Sequence, residues 1–343
     1  MTTPLTLDAV LAKAQTRSVE FPYLLANHVP MVLIALDRLG ASPERLDEWY
    51  EAYRDAHALP PVAEPVAPVN PADWQEALGE RAREADYRGF FVGEAQRLGI
   101  DRAIRTYLPA MTQGIAGSAT HPLMRLAYGV LKNDAREVGH ALGYWAATYL
   151  PLPGPGRFDA DTDDPAEVLA GIAEIEGIRD YETETDLLWH NIRAVGALPG
   201  FAPVIDRLRF HDNTVRRMTE VSLVAFAFTL DFSALHAVTG MHWMRLVTPH
   251  VDEDKVEPLY RAFWQVIAAL VPKIGFPVFP TADEVQDMRE RAAPDWPEIK
   301  AAAIASYDEH DVSLIFSASE EQKAWGGDRL YRVAAARRLR LID

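Results

Sequence analysis

Cysteine is absent from this 343-residue chain. That absence excludes disulfides, cysteine-ligated zinc, iron–sulfur clusters and a thiol nucleophile. It fits a reducing, cytoplasmic setting, since disulfides persist in oxidising compartments. Long apolar runs are missing as well. The most apolar stretches, 221–230 and 263–271, are far shorter than the ~20 residues a membrane-spanning helix needs. The opening Met1-Thr2-Thr3-Pro4-Leu5-Thr6-Leu7-Asp8 has no basic segment followed by an apolar one. No secretory leader and no membrane partner are expected.

Positive charge is scarce. Fifty acidic residues face 34 basic ones, for a formal net charge of −16. Such a surface repels phosphate backbones, because nucleic-acid affinity comes mainly from Lys and Arg displacing counterions. The basic cluster at 332–340 is expected to be the solvated face of a terminal helix.

Nucleotide-binding signatures are missing too. No GxGxxG follows a strand and no GxxxxGK[ST] occurs. Gly114-Ile115-Ala116-Gly117 and Gly154-Pro155-Gly156 lack the strand–turn–helix context of a phosphate loop. There is no GxSxG elbow, no HExxH and no EF-hand loop. The acidic run at 159–164 is expected to be a solvated loop.

What remains is helical. Apolar residues recur at helical spacing over 8–15 and 30–39, the latter stopped by Gly40. Ser42 and Pro43 open a further helix through Trp49, Tyr50 and Tyr53. Others are expected over 122–132, 135–149, 165–176, 219–238, 256–271, 282–292, 306–324 and 329–339. No sustained alternation supports a sheet, and no fixed repeat appears. Five prolines at 59–71 forbid a helix there. That stretch is read as an extended arm wrapping one domain, and 150–165 as a Pro/Gly/Asp loop. The expected fold class is therefore all-α, a compact single-domain multi-helix array over 1–343.

Ten histidines are the most informative residues left. Neutral imidazole gives a metal a lone pair with no charge to desolvate. His28 precedes the apolar helix at 30–39. His121 sits at a helix start, with Thr120 as N-cap. His236 lies in a nearly all-apolar segment, and a buried imidazole needs a hydrogen-bond partner or a metal. His310 follows Ser306 and Glu309, a capping-box pattern that puts it in a first helical turn. Asp308, Glu309 and Asp311 beside it offer hydrogen bonds to its second nitrogen, or a ligand. The alternative for each is a core or capping imidazole. His57, His211 and His250 read as surface residues. His140, His190 and His242 stay open, and His242 is close enough in sequence to approach the same site as His236.

These segments together resemble the questin oxidase-like family. The resemblance is carried by Asn27-His28 before a helix ending in Leu39-Gly40-Ala41, and by His121-Pro122-Leu123 leading to Tyr128-Gly129. It continues through Phe232, then Leu235-His236-Ala237-Val238-Thr239, and Asp308-Glu309-His310, in the family's order. It implies a helical oxygenase whose fungal members open anthraquinone rings, by Baeyer–Villiger-type or C–C cleaving chemistry. It also implies a non-haem iron held by histidines and a carboxylated lysine. His28, His121, His236 and His310 match by position. The lysine does not: one turn past His310 stand Ser313 and Leu314, and the nearest lysines are Lys300 and Lys323. Asp311 is the candidate to replace it. The expected partners are dioxygen and a small polycyclic aromatic substrate, with NADPH as a reductant arriving outside any Rossmann pocket. Tyr128, Trp145, Phe232 and Trp243 are the candidate pocket lining. The competing readings are a non-catalytic binder of an apolar ligand and a metal-independent cyclase or hydrolase using one histidine.

Overall fold

A computed structural model describes residues 5–154, 160–202 and 204–343. In chain order it contains α1 (Leu7–Ala14), β1 (Glu20–Phe21), β2 (Leu25–Ala26), α2 (Val29–Leu39) and α3 (Pro43–His57). There follow α4 (Glu84–Leu98), α5 (Ile100–Met111), α6 (His121–Lys132), α7 (Ala135–Ala147), α8 (Pro165–Gly171) and α9 (Leu188–Gly196). Then come α10 (Thr214–Thr229), α11 (Phe232–Val247), α12 (Glu253–Ile274) and α13 (Ala282–Glu290). The last are α14 (Trp296–Ala305), α15 (Glu309–Ala324) and α16 (Leu330–Arg338). The fold is all-α, with β1 and β2 forming one antiparallel hairpin. Among the described residues no helix is long and apolar enough to cross a membrane.

The chain forms two compact units. The first runs up to Pro65 and resumes from Asp287 to Asp343. Its centre is α2, apolar on nearly every face and buried from Val29 to Leu36. A helix apolar all round must be covered on all sides. Here α1, α3, α14 and α15 cover it. Gly40, at φ 100°, ends α2 in the left-handed conformation glycine adopts without strain. Ser42 caps α3 through Arg45 N at 3.3 Å. Residues 59–65 form no helix, with Pro60 O accepting Ser18 N at 3.0 Å and Thr16 O accepting Val62 N at 3.1 Å.

The second unit is Val66–Gln286. In it α4 lies directly on α7, α7 on α6, α6 on α11, and α11 on α10 and α12. The start of this unit is tied down by Asp86, whose Oδ1 accepts Val66 N at 2.9 Å. Helices α4 and α7 approach closely because α7 carries Gly139 and Gly143 one turn apart. A Cβ on Gly139 would stand 2.5 Å from Val92 Cα, and one on Gly143 would stand 2.8 Å from Arg88 N.

Several boundaries differ from the sequence expectation. The helix expected over 219–238 is two. Leu230, at φ 50°, ends α10, and Asp231 Oδ1 caps α11 by accepting Ser233 N at 2.7 Å. A competent N-cap outweighs continuous apolar periodicity. The helix expected from Ser306 begins at Glu309 and is capped by Asp308, while Ser306 ends α14. The 165–176 helix tightens to a 3₁₀ turn at Ile172–Glu174. Thr120 makes no side-chain cap to α6. Helices α4, α5, α9 and α14 were not expected. On α4 the buried face carries Glu84, Asp86, Arg88 and Glu94, so charge hides its periodicity. Part of the 150–165 loop, Pro155, Gly156 and Asp159 among it, lies outside the described residues. The rest of the acidic run is engaged: Asp161 pairs with Arg207, Asp163 with Arg209, and Asp164 caps α8.

Backbone contact at Gly139 leaves nothing flexible to move aside. Gly139→Ala is expected to destabilise by roughly 1–3 kcal/mol through overpacking, and Gly139→Val by more. Urea denaturation with an unchanged m-value checks this.

Candidate metal centre

The candidate histidines meet in two pairs, one within each unit. In the first, His28 stands at the start of α2 and His310 in the first turn of α15. Helix α15 packs on α2. The two rings lie 5.0 Å apart, edge to face at 63°. The β1–β2 hairpin turns through Tyr23 and Leu24, both at positive φ, and delivers Ala26 O to His28. His28 Nδ1 lies 2.9 Å from that carbonyl. A carbonyl only accepts, so Nδ1 carries the proton and Nε2 the lone pair.

His310 is set by carboxylates instead. Its Nδ1 lies 3.3 Å from Asp308 Oδ1 and 3.8 Å from Glu309 Oε1. Glu309 is also 4.0 Å from His28 Nδ1. Asp308, Glu309 and His310 offer ligand atoms within 4.8 Å of one another. The hydrogen bond from His310 holds the Asp308 carboxyl down to about 2, against the opposing effect of its burial. Tyr53 belongs to the same unit. Burial, then the charge of Glu309, pushes its phenol well above the ordinary tyrosine range.

In the second unit His121 opens α6 and His236 lies on α11, with rings 5.9 Å apart at 71°. His121 Nδ1 lies 2.5 Å from Ser118 O, and His236 Nδ1 2.9 Å from Phe232 O. Both therefore carry the Nε2 lone pair as well. The turn feeding His121 is strained: Ser118, Ala119 and Thr120 all have positive φ, at 45°, 51° and 68°. Each such non-glycine residue costs roughly 1–2 kcal/mol. Burial of all three and a 2.6 Å bond between Ser118 Oγ and Tyr144 Oη hold the turn in place.

This donor set fits a transition metal. Metal-binding histidines ordinarily give one ring N–H to a carbonyl or carboxylate and coordinate through the other nitrogen. Nitrogen with oxygen donors suits iron, and also zinc, copper or nickel.

The remaining candidates divide. Asp311 is held by Arg338 Nε at 2.7 Å and Ser306 Oγ at 2.9 Å. Ser313, in the expected lysine position, is buried; Lys323 pairs with Glu320. Phe232 is 45% exposed and its ring lies 5.0 Å from His236. Tyr128, Trp145 and Trp243 are buried in the second unit's core, and Trp145 Nε1 donates to Met111 O at 3.0 Å. His211 is exposed as expected, but His57 packs against Tyr53 and Phe21 and His250 pairs with Asp101. His242 is buried, with Arg245 Nη2 3.5 Å from its Nδ1. His190 Nδ1 lies 2.9 Å from Thr185 Oγ1. A largely apolar cavity of about 460 Å³, lined by Leu169, Arg179, Val271, Phe276 and Phe279 among others, contains none of the candidate histidines. The sequence reading missed Tyr53 and Arg338. Nothing in the spacing of α3 or α16 marks either.

Fold and site define an all-helical protein whose imidazole pairs, the first with adjoining carboxylates, are suited to hold a metal. The chain belongs to the questin oxidase-like family, whose model matches residues 25–317. No curated protein matches it in sequence. Membership marks it as an enzyme of an oxidoreductase family.

One turn past His121, a buried charge cluster ties α6 to α7. Arg125 Nε donates to Glu137 Oε2 at 3.0 Å, and Arg125 Nη2 to His140 Nδ1 at 3.0 Å. Burial, then the neighbouring Arg125 charge, pushes His140 from 6.5 down to about 4. Burial opposes the ionisation of Glu137, but Arg125 and His140 hold its carboxyl well below the usual range. Between about 6.5 and 4 the unfolded chain binds a proton that folded His140 refuses, so stability rises with pH. It is lost as pH falls through that window, and Glu137 adds a loss of the same sign at more acidic pH. The melting temperature should drop from pH 7 to 4.5, and drop less in His140→Gln.

Proposed function

We propose that this protein is a metal-dependent oxygenase acting on a polycyclic phenol or quinone, of Baeyer–Villiger or C–C cleaving type. The observation that carries the reading is the shared tautomer of His28, His121 and His236, each with Nδ1–H given to a main-chain carbonyl. His28 and His310, and likewise His121 and His236, are the residues that would hold metal. When bound, iron supplies the activation of dioxygen that no side chain provides alone. The carbonyls of Ala26, Ser118 and Phe232 keep the Nδ1 protons in place. Tyr53 stays protonated over the physiological range and is a hydrogen-bond donor for a substrate oxygen. The exposed ring of Phe232 offers a face to a flat substrate.

Inserting one oxygen atom and releasing the other as water takes two electrons, and NADPH is the reductant assigned to that case. Cleavage that keeps both atoms in the product needs none. A second reading, a non-catalytic binder of an aromatic ligand, is favoured by the cavity around Phe276. It requires ligand-dependent thermal stabilisation without oxygen uptake.

Protein purified without chelators should contain near-stoichiometric metal and take up oxygen with a polycyclic phenol. Replacing His28, His121, His236 and His310 together by alanine should lower metal content at least tenfold and abolish uptake. Metal-free wild type that still consumes oxygen would remove the reading.

A further inference from the structure

The basic cluster at the C-terminus is solvated only in part: Arg340 is exposed, but one member of the cluster reaches towards His310. Arg338, the last residue of α16, is 22% exposed. Its Nη2 donates to Asp308 Oδ2 at 2.8 Å and its Nε to Asp311 Oδ1 at 2.7 Å. The other Asp308 oxygen, Oδ1, accepts the His310 main-chain N–H at 2.8 Å and lies 3.3 Å from the His310 ring Nδ1. Ser306 Oγ donates to Asp311 Oδ2 at 2.9 Å and accepts Asp308 N at 3.1 Å. One guanidinium thus grips two of the three acids beside His310, Asp308 and Asp311.

The consequence is geometric. A carboxylate on an aspartate rotates about its last bond, and either oxygen can serve either partner. With Oδ2 pinned on Arg338, Oδ1 is committed to His310. A fixed acceptor at Nδ1 selects the Nδ1–H tautomer and puts the lone pair on Nε2. His28, His121 and His236 obtain the same state from main-chain carbonyls. At His310, carboxylates face Nδ1: Asp308 Oδ1 at 3.3 Å and Glu309 Oε1 at 3.8 Å. Those carboxylates need a cation to hold them.

We propose that Arg338 is a positioning residue: by fixing Asp308 and Asp311 it holds His310 in the tautomer that presents Nε2 as a ligand. It lies outside residues 25–317, the stretch matched by the family model. The metal-affinity consequence rests on the proposed function; the tautomer consequence does not.

The test uses full-length protein. In metal-free, ¹⁵N-labelled wild type, at a pH where the nitrogen shifts show the His310 ring neutral, they should report it as Nδ1–H. In Arg338→Ala the Nε2–H form should become a major species, and Co(II) should bind about 10- to 100-fold more weakly, the usual loss for an outer partner of a ligand. Arg338→Lys should restore part of both. Arg338→Met keeps the packed stem and should behave as Arg338→Ala if the latter folds poorly. Arg332→Ala is the control. It breaks another tie from the same helix, Arg332 to Asp295 at 2.8 Å, and should change neither readout. An unchanged His310 tautomer in Arg338→Met, or an equal change in Arg332→Ala, overturns the proposal. Wild type that binds no Co(II) would instead sink the metal reading alone, because the tautomer still decides the role of Arg338.

Discussion

A main-chain carbonyl takes the Nδ1 proton of His28, His121 and His236, and the chemistry open to those residues follows from that bond. Neutral imidazole in water exchanges its proton between two nitrogens, so half its value as a ligand is undefined. A fixed acceptor removes the choice. Each carbonyl comes from a different local device. For His28 it is the end of a two-residue strand. For His236 it is the carbonyl one helical turn back on α11. For His121 it is a left-handed turn that no propensity favours. Three unrelated backbone solutions give one electronic state.

The left-handed turn is the costliest of the three. Ser118, Ala119 and Thr120 have no glycine's freedom at positive φ. The turn persists because its surroundings leave no alternative. Ser118 is tied to Tyr144 on α7. A Cβ on the preceding Gly117 would stand 2.2 Å from Thr148 O, so the chain is pressed against the end of α7. Helix α7 is in turn pressed against α4 through Gly139 and Gly143. Strain at the histidine and close packing two helices away are parts of one arrangement. Backbone strain held by rigid surroundings is a recurrent property of functional sites.

How much was legible in the sequence depends on what kind of signal each feature leaves. Helix α2 and its stop at Gly40 are written in composition, because a buried apolar helix and a left-handed glycine have few other readings. The candidate histidines were legible as residues in suggestive contexts, and the pairing of His28 with His310 and of His121 with His236 adds what the sequence could not hold. Helix α4 was missed because its inward face is charged and satisfied by pairs such as Arg88 with Glu84 at 2.6 Å. Apolar periodicity cannot register a face of that kind. Asp308 was read as a neighbour of His310, when it is the N-cap that decides where α15 begins, and Asp231 does the same for α11. Capping is settled by local dihedrals, which a run of apolar residues on either side conceals.

The connection from α14 to α15 shows how scarce cations are used in so acidic a chain. Arg45 donates to the carbonyls of Ile304, Ala305 and Ser306 at 2.8, 3.2 and 3.0 Å. It thereby satisfies the C-terminal end of α14, where a helix leaves carbonyls without internal partners and a cation suits the dipole. Its guanidinium also lies 4.3 Å from the Tyr307 ring centre. Two residues past Ser306, Asp308 is held by Arg338, which also holds Asp311. The short link that sets the direction of His310 is therefore gripped at its start by one arginine and at its finish by another, from helices α3 and α16. A linker between two helices is ordinarily the mobile part of a structure. Here ion pairs and carbonyl contacts stiffen it where the chain has to aim an imidazole.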